Sequence, residues 1–573
     1  MLLSGVLSLI PLFLALLYRE PSLQYLITVV TSWLFGLILI RFPREKLDFG
    51  DSMLLVSLGL IILSFFGAIP YFMILNGDPL EVLVDGYFES VSGYTTSGLT
   101  TLPANMYSEG SQNYHSLVFK RTFSEWIGGL GIVIIFLSIL AKGGISTVYM
   151  YRLQEGKKVL APTVEHTARI IFRVYLFYTV SGAMLLWILV ENMDPFHALT
   201  GIMSNISTGG FIGSVFKSNG FKISWVGECI LMVAMILGAV PFIMHNILLS
   251  GRLRKFLGNI EIKTFFLVLS LSVILFIGLL WNSELYLFSV PLKFERDLGG
   301  GVIPDDLGNI FRANGEALSR NATIKKVDYG WTIVDEGKVY SIRRESEKLD
   351  VYYADNNRVV YNSALGAISA LTTTGYSGGG LELTGDMGKI ILIVLMVIGA
   401  GAGSTGGGMK LIRFSVLVNG VRWLLKKYSL PESAVIPLRV GGRIFRDDEV
   451  RTIALFFFVY SVLQVIGCAV LVSYGVTPID ALITSVSAQA TGSITTIELG
   501  DLNIVAKIML IIQMIAGRLE IFPILTLIGY FIHGAEREVI TVEHEAGKKM
   551  KLKKKEMELK RRVEFIRRLG KIE

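Results

Sequence analysis

Cysteine is almost absent from this chain: Cys229 and Cys468 are the only two in 573 residues. Both fall in apolar stretches, where a small buried thiol is the plain expectation, so no disulfide framework is available. Histidine is nearly as scarce, and the six present never take metal-ligand spacing, which gives no sign of a zinc or haem centre. His245, inside an apolar stretch, reads as a bundle-facing polar residue. Charged residues make up only 18 %, against 52 % hydrophobic residues and a mean hydropathy of +0.57. A soluble globule of this length could not bury so much apolar surface, which puts the chain in a membrane. Paired carboxylates, a histidine cluster, or a nucleophile beside its base are missing from the helix ends. An intramembrane enzyme is therefore only a remote alternative, and no catalytic residues are assigned.

Lysine and arginine are missing from residues 76–115 and 475–502, whereas they crowd into 142–169, 251–263, 413–451 and the tail after 533. Basic segments flanking spanning helices stay on the cytoplasmic side, so both termini are expected inside. The net charge of +7 needs no nucleic acid to explain it, because twelve Lys or Arg between Lys548 and Lys571 form a mixed-charge tail. That tail reads as a solvated or lipid-facing helix.

What the chain does have is long apolar stretches. Ten of them lie at about 2–17, 22–41, 52–75, 117–141, 168–190, 224–250, 264–281, 387–412, 452–474 and 503–532, against a need for roughly 20 residues per spanning helix. The first lacks a basic leader and a small-residue cleavage site, so it reads as a retained helix. The expected class is an all-α membrane protein.

It also has an internal repeat. A hydroxyl residue precedes glycine at Ser97-Gly98, Thr208-Gly209, Thr374-Gly375 and Thr491-Gly492, each after a short half-apolar stretch. Ala198-Leu199, Ala364-Leu365 and Ala481-Leu482 each begin eleven positions before their glycine, while the first copy has Tyr87-Phe88 there. The glycines are 111, 166 and 117 residues apart, and a polar insertion at about 282–361 accounts for the long middle interval. The expected organisation is two leading helices (1–42), then four M1-P-M2 pore repeats around one pseudo-fourfold axis, at 43–145, 146–255, 256–428 (with the insertion) and 429–532. A cytoplasmic basic tail follows at 533–573.

Each repeat should hold a segment too short to span, followed by a Gly-centred loop. Asp85, Asp194 and Asp480 stand at or near the start of three such segments, where an acid can cap free N–H groups. Irregular backbone at membrane depth is tolerated only where protein buries it or it lines a watery path, so the four loops should converge. Their main-chain carbonyls suit a dehydrated monovalent cation, and glycine permits the inward turn. The hydroxyls of Thr96, Ser97, Ser207, Thr208, Thr373, Thr374 and Thr491 can brace the loops or add oxygen ligands. Glu81, Glu109, Glu382, Glu498 and Asp501 around the outer mouth would concentrate cations.

Further motifs sharpen the reading. They are Trp126-Ile127-Gly128-Gly129-Leu130-Gly131-Ile132, Gly403-Ser404-Thr405-Gly406-Gly407-Gly408-Met409-Lys410 and Gly517-Arg518-Leu519-Glu520. With the four loops they make the chain resemble the superfamily of Trk, Ktr and HKT potassium transporters along nearly its whole length. The two leading helices look like the TrkH branch.

The resemblance implies a potassium uptake channel-like subunit in the cell membrane. The resemblance further implies a homodimer with one pore per subunit, alongside a cytosolic TrkA-type nucleotide-binding regulatory ring and membrane lipid. It implies no covalently bound cofactor, with K+ ions in the pore. The filter positions are Thr96, Ser97, Gly98 and Leu99; Ser207, Thr208, Gly209 and Gly210; Thr373, Thr374, Gly375 and Tyr376; and Ala490, Thr491, Gly492 and Ser493. In related plant proteins a serine at the first filter glycine goes with sodium selectivity, so Gly98 favours potassium.

The gate assigned by resemblance comprises Gly403, Ser404, Thr405, Gly406, Gly407, Gly408, Lys410 and Arg518. The residues themselves agree, because Gly399, Gly401, Gly403 and Gly406 to Gly408 should break the helix there. Close helix packing through small residues is the competing account, and Glu520 as a purely structural partner competes with a pore-facing role for Arg518. Glu125 departs from the glutamine expected before Trp126, and the fourth loop is the least regular. A proton- or sodium-coupled symporter on the same fold is the alternative, with Glu125 and His245 the few titratable residues it could use. The insertion is expected to form a small β-containing extracellular cap with hairpins at Trp331 to Ile342 and Val351 to Tyr361.

Overall fold

The computed structural model describes residues 1–42, 49–141, 164–218, 223–280, 286–291, 323–327, 330–335, 338–345, 348–353, 356–376, 385–431, 436–521, 523–525 and 527–530. The basic tail at 533–573 lies outside the described residues. Helices dominate. Two leading helices, α1 (Leu2–Leu17) and α2 (Leu23–Ile40), pack on each other and on α3 (Phe49–Ile74) and α5 (Tyr114–Ala141). Between α3 and α5 lies the shorter α4 (Pro79–Thr95).

The same long–short–long order recurs. It is formed next by α6 (Val164–Leu189), α7 (Pro195–Ile206) and α9 (Trp225–Ala239), the short α8 (Phe211–Ser218) lying between the last two. Past the small helices α10 (Phe242–Leu249) and α11 (Leu253–Gly258), the three-helix order returns as α12 (Ile260–Leu280), α13 (Asn356–Thr372) and α14 (Gly385–Ile398), the last cut to 14 residues where its stretch breaks. After α15 (Leu411–Tyr428) come α16 (Asp447–Ser473), α17 (Pro478–Ala490) and α18 (Ile504–Arg518).

Among the described residues, five helices are long and apolar enough to cross a membrane: Leu23–Ile40, Met53–Ile74, Ala168–Leu189, Ile260–Leu279 and Asp447–Ser473. Two bent pairs qualify if each counts as one span, Trp225–Ala239 with Phe242–Leu249 at 110° and Ile504–Arg518 with Pro523–Tyr530 at 114°. The expected stretch at 387–412 is interrupted after Ile398, where α14 ends in an irregular segment running to Lys410. Phe13, Ile188, Ile274, Phe458 and Val465 all point outward, as suits helices solvated by lipid. In that solvent helix association rests on close packing rather than on hiding apolar surface.

The short helices start in recognisable ways. Asp78 accepts from Leu80 N at 2.9 Å, Asp194 from His197 N at 2.8 Å and Thr477 from Asp480 N at 3.4 Å, each with proline in the first helical turn. A side-chain acceptor and a residue with no N–H to satisfy make an economical helix start. The cap of α4 is thus Asp78, and Asp85 lies inside the helix on other business.

Of the insertion, five strands are described: β1 (Tyr286–Pro291), β2 (Thr323–Val327), β3 (Gly330–Asp335), β4 (Lys338–Glu345) and β5 (Lys348–Tyr353). They form one antiparallel sheet in the order β1-β5-β4-β3-β2. The hairpin expected at Trp331 to Ile342 is there, with those two residues paired across β3 and β4. The one expected at Val351 to Tyr361 is not. Val351 is already paired with Phe288 and Ile342 on its two sides, and Asn356 and Asn357 are the first two residues of α13, so the chain is helical where the turn was expected.

Candidate functional site

All four short helices end in one conformation. Thr96, Thr208, Thr373 and Thr491 have φ of 55°, 55°, 57° and 54°, left-handed values that halt a helix. The residue after each donates to a serine carbonyl five positions back: Ser97 to Ser92 at 2.8 Å, Gly209 to Ser204 at 2.9 Å, Thr374 to Ser369 at 2.9 Å and Gly492 to Ser487 at 2.8 Å. This shared cap corrects the register of the repeat. Counted from the left-handed threonine, the third positions are Gly98, Gly210, Gly375 and Ser493, with φ of 60°, 87°, 74° and 53°. Gly209 and Gly492 occupy the position before. The sequence signal for this register is a serine four residues before each threonine.

These turns meet. A Cβ built on Gly98 would overlap the carbonyl oxygen of Gly209, one on Gly210 that of Thr374, and one on Gly375 that of Gly492 at 2.5 Å. Ser493 closes the circuit through a hydrogen bond from its hydroxyl to Ser97 O at 2.5 Å, and it also reaches Gly209 O. The second-position carbonyls of all four loops therefore face the third residue of a neighbouring loop. Behind this ring the bracing alternates. Thr95 pairs with Ser97, and Thr372 with Thr374, through hydroxyls 2.8 Å apart in both cases. In the second and fourth loops Ser204 and Ser487 instead accept from Ile212 N at 3.3 Å and Ile494 N at 2.8 Å. Leu99, Ser207, Tyr376 and Ala490, expected in the site, are buried at its flanks.

Glu125 is the special feature of the second loop. Fully buried, it accepts from Ser204 Oγ at 2.6 Å and Phe211 N at 3.0 Å, and a Cβ on Gly209 would strike it. His245 makes ordinary polar contacts, with Leu237 O at 2.9 Å and Tyr178 Oη at 3.3 Å.

Beneath the loops runs the irregular segment after α14. Gly399, Gly403 and Gly408 take φ of 70°, 73° and 73° there. Thr405 fastens it, donating from its hydroxyl to Ile206 O at 3.0 Å and Gly238 O at 2.9 Å and from its N–H to Gly238 O at 3.1 Å. Gly407 N donates to Thr373 Oγ1 at 2.7 Å, and a Cβ on Gly407 would overlap Ala490 O. The segment thus lies against the second, third and fourth short-helix ends. Ser404 turns back on Gly401 O at 2.6 Å, and Lys410 Nζ donates to Gly406 O. From the side, Glu261 of α12 accepts from Ala402 N at 2.9 Å, a contact the sequence reading missed.

Arg518 is buried and donates to Thr405 O at 2.7 Å and Gly128 O at 2.9 Å, so it ties this segment to α5. Glu520 is engaged elsewhere, in an ion pair with Arg413. A permanent cation spending its donors on main-chain carbonyls is bound to the irregular segment and not neutralised by its neighbour in sequence.

Around the outer rim, each short helix is clasped by the long helix that ends the preceding long–short–long set. Lys507 on α18 pairs with Asp85 on α4 at 2.8 Å, and Lys389 on α14 with Asp480 on α17 at 2.7 Å. Tyr114 on α5 bonds His197 on α7 at 2.6 Å, and Glu228 on α9 accepts from Tyr361 on α13. Burial pushes the Asp480 carboxyl up, but Lys389, Thr477 and Thr496 together hold it at about 2. Behind the first loop, Glu89 accepts from Thr100 Oγ1 at 2.6 Å and Thr101 N at 2.8 Å and faces Arg121, which stacks between Tyr107 and Phe211.

Short helices ending in four converging loops, with an irregular segment pressed beneath them and apolar helices outside, are the architecture of a multi-pass membrane transporter rather than an enzyme. Residues 41–530 match the TrkH family model, described as cation transport protein, and the chain belongs to that family. The motif resemblance pointed to the same place. The chain is 26% identical over 532 residues to an uncharacterized cation transporter of Methanocaldococcus jannaschii, covering 91% of this chain and 92% of that one. It is 26% identical over 539 residues to the Trk system potassium uptake protein TrkH of Vibrio parahaemolyticus, covering 91% and 95%. With TrkH of Escherichia coli K12 the identity is 25% over 534 residues, covering 90% and 94%. The crystal structure of the potassium transporter TrkH from Vibrio parahaemolyticus has the same fold, with a TM-score of 0.69 at 23% identity over 92% of this chain and 95% of that one.

Proposed function

We propose that this chain is the membrane subunit of a potassium uptake system. Its four loops form the ion filter, and the segment 399–410 with Arg518 controls passage beneath them. The observation that carries this reading is the ring of carbonyls from Ser97, Gly209, Thr374 and Gly492, each against the third residue of a neighbouring loop. Peptide oxygens so gathered can replace the hydration shell of a passing alkali cation without a full negative charge in its path. The names of the TrkH relatives support potassium as that cation. On this reading the helices group as two leading spans and four pore units, ten spans in all, with both termini cytoplasmic. The working assembly is a homodimer served by a cytosolic TrkA-type nucleotide-binding ring.

A coupled symporter is the second reading, favoured by one observation: the Glu125 carboxyl lies directly behind the second loop. Reconstituted flux of potassium and sodium separates the two, measured with a membrane potential and with a pH gradient applied independently. We expect potassium flux to follow the potential and to exceed sodium flux. Uphill potassium uptake driven by the pH gradient alone would select the symporter, and no potassium flux under any condition would reject both.

A further inference from the structure

We propose that Glu261 is a positioning residue for the segment 399–410: its carboxylate hooks that segment to a small apolar unit built on α10 and α11, and losing the hook frees the path for cations. The inference rests on the reading that the segment controls passage, and asks what keeps it in place. Thr405, Gly407 and Arg518 fasten its later half to the ends of the short helices, to α9 and to α5. Residues 401–403 are held separately. Glu261 Oε2 accepts from Ala402 N at 2.9 Å, Gly401 N donates to Ala239 O at 3.0 Å, and Phe242 N donates to Gly403 O at 3.2 Å. These partners come from the bend between α9 and α10 and from the first turn of α12.

The partners belong to one body. Val240, Met244, Phe256 and Ile262 pack in a single buried cluster that joins the bend, α10, α11 and the start of α12. Asn259 Oδ1 accepts from Glu261 N at 2.8 Å and fixes the acid at the mouth of its helix. Burial sets this acid apart from an ordinary first-turn carboxylate. It is only 7 % exposed, so it has given up most of its hydration, which is costly unless protein donors replace it. The Ala402 N–H is such a donor, and a bond to a charged acceptor is stronger than one to a neutral carbonyl. Gly401 shows independently how close the approach is: a Cβ there would lie 2.5 Å from Pro241 Cδ and 3.1 Å from Glu261 Oε2. The segment is therefore seated on this unit by a strong side-chain bond and two main-chain bonds, and a shift of α10 and α11 pulls on residues 401–403 directly.

The test measures initial rubidium uptake against rubidium concentration in vesicles holding equal amounts of full-length protein. It compares wild type with Glu261→Ala, Glu261→Gln, Gly401→Ala and Arg518→Ala. We expect Glu261→Ala to raise maximal uptake by about tenfold and to leave the half-saturating concentration unchanged, because the four loops are untouched. Glutamine keeps an oxygen that accepts from Ala402 N, and its uptake should lie nearer to wild type than to alanine. Gly401→Ala crowds the same contact from the other side and should raise uptake too. A general loss of structure would lower maximal uptake, the opposite direction. Uptake in Glu261→Ala and Gly401→Ala within about twofold of wild type, or below it, while Arg518→Ala rises, overturns the hook and leaves the reading of the segment standing. Glutamine equal to a raised alanine level overturns it as well, since the hydrogen bond is then not the link. If Glu261→Ala fails to insert, Gly401→Ala decides alone. Uptake that rises in no variant, Arg518→Ala included, overturns the hook and the reading together.

Discussion

Replacing Arg518 by alanine is the most direct trial of the proposed closure beneath the loops. The guanidinium makes two hydrogen bonds, at 2.7 Å to Thr405 O and 2.9 Å to Gly128 O, from a buried position. Hydrogen bonds to a charged donor contribute about 1.5–3 kcal/mol each. The pair acts as a unit, so a conservative sum is about 3 kcal/mol, provided the bonds exist only while the segment lies across the path. That loss shifts the equilibrium of the segment by about two decades, since about 1.4 kcal/mol corresponds to tenfold. Removing the positive charge acts in the same direction, by lifting an electrostatic barrier to cations. Rubidium uptake into vesicles holding equal amounts of protein, without any regulatory partner, should therefore rise steeply in Arg518→Ala. Arg518→Lys keeps the charge but cannot fork to both carbonyls, and should fall between the two. Uptake at or below the wild-type level with normal membrane insertion would refute the barrier role.

Gly375→Ser should shift potassium-over-sodium preference, because its Cβ would push on Ser493 and Gly492 O; unchanged preference in reconstituted flux would count against the filter. Glu89→Ala strips Arg121 of its carboxylate and frees three donors at Thr100, Thr101 and Leu102. It should cost about 3–5 kcal/mol of stability, read as a lowered unfolding midpoint in detergent, and an unmoved midpoint would contradict the pairing. Lys507→Ala leaves Asp85 without its partner in a partly exposed site and should cost about 1–2 kcal/mol. Adding Asp85→Asn should restore part of that loss, and a Lys507→Ala midpoint equal to that of wild type would show that the pair contributes nothing.

The hydrophobic pattern and the repeated hydroxyl-glycine pairs were enough to foresee a membrane protein with four inward loops, since both follow from local chemistry. The break after Ile398 was legible for the same reason: glycine at 399, 401, 403 and 406 to 408 leaves a helix little to hold it together. Register was harder. Thr-Gly pairs attract the eye, but the helix ends are set by a backbone bond reaching five residues back to a serine, which glycine spacing does not reveal. Ser493 was noted in the sequence as part of an irregular fourth loop, and only its φ and its hydrogen bonds put it level with three glycines. Glu261 reaching Ala402 N was beyond sequence reasoning, because an acid in the first turn of α12 looks like a helix-dipole partner until the facing segment is seen.

The contact between Lys507 and Asp85 joins the last long helix to the first short one. It bears on how the protein is made. During synthesis the other three clasps can form as soon as the next set of helices emerges, whereas Asp85 must wait with its carboxylate uncompensated until nearly the whole chain has been inserted. Truncation after the third set leaves an open arc, with an acidic residue exposed at its free edge and no lysine to receive it. Completion of the circle is thus the last of the four clasps to form, and it depends on the C-terminal set of helices reaching the first short one.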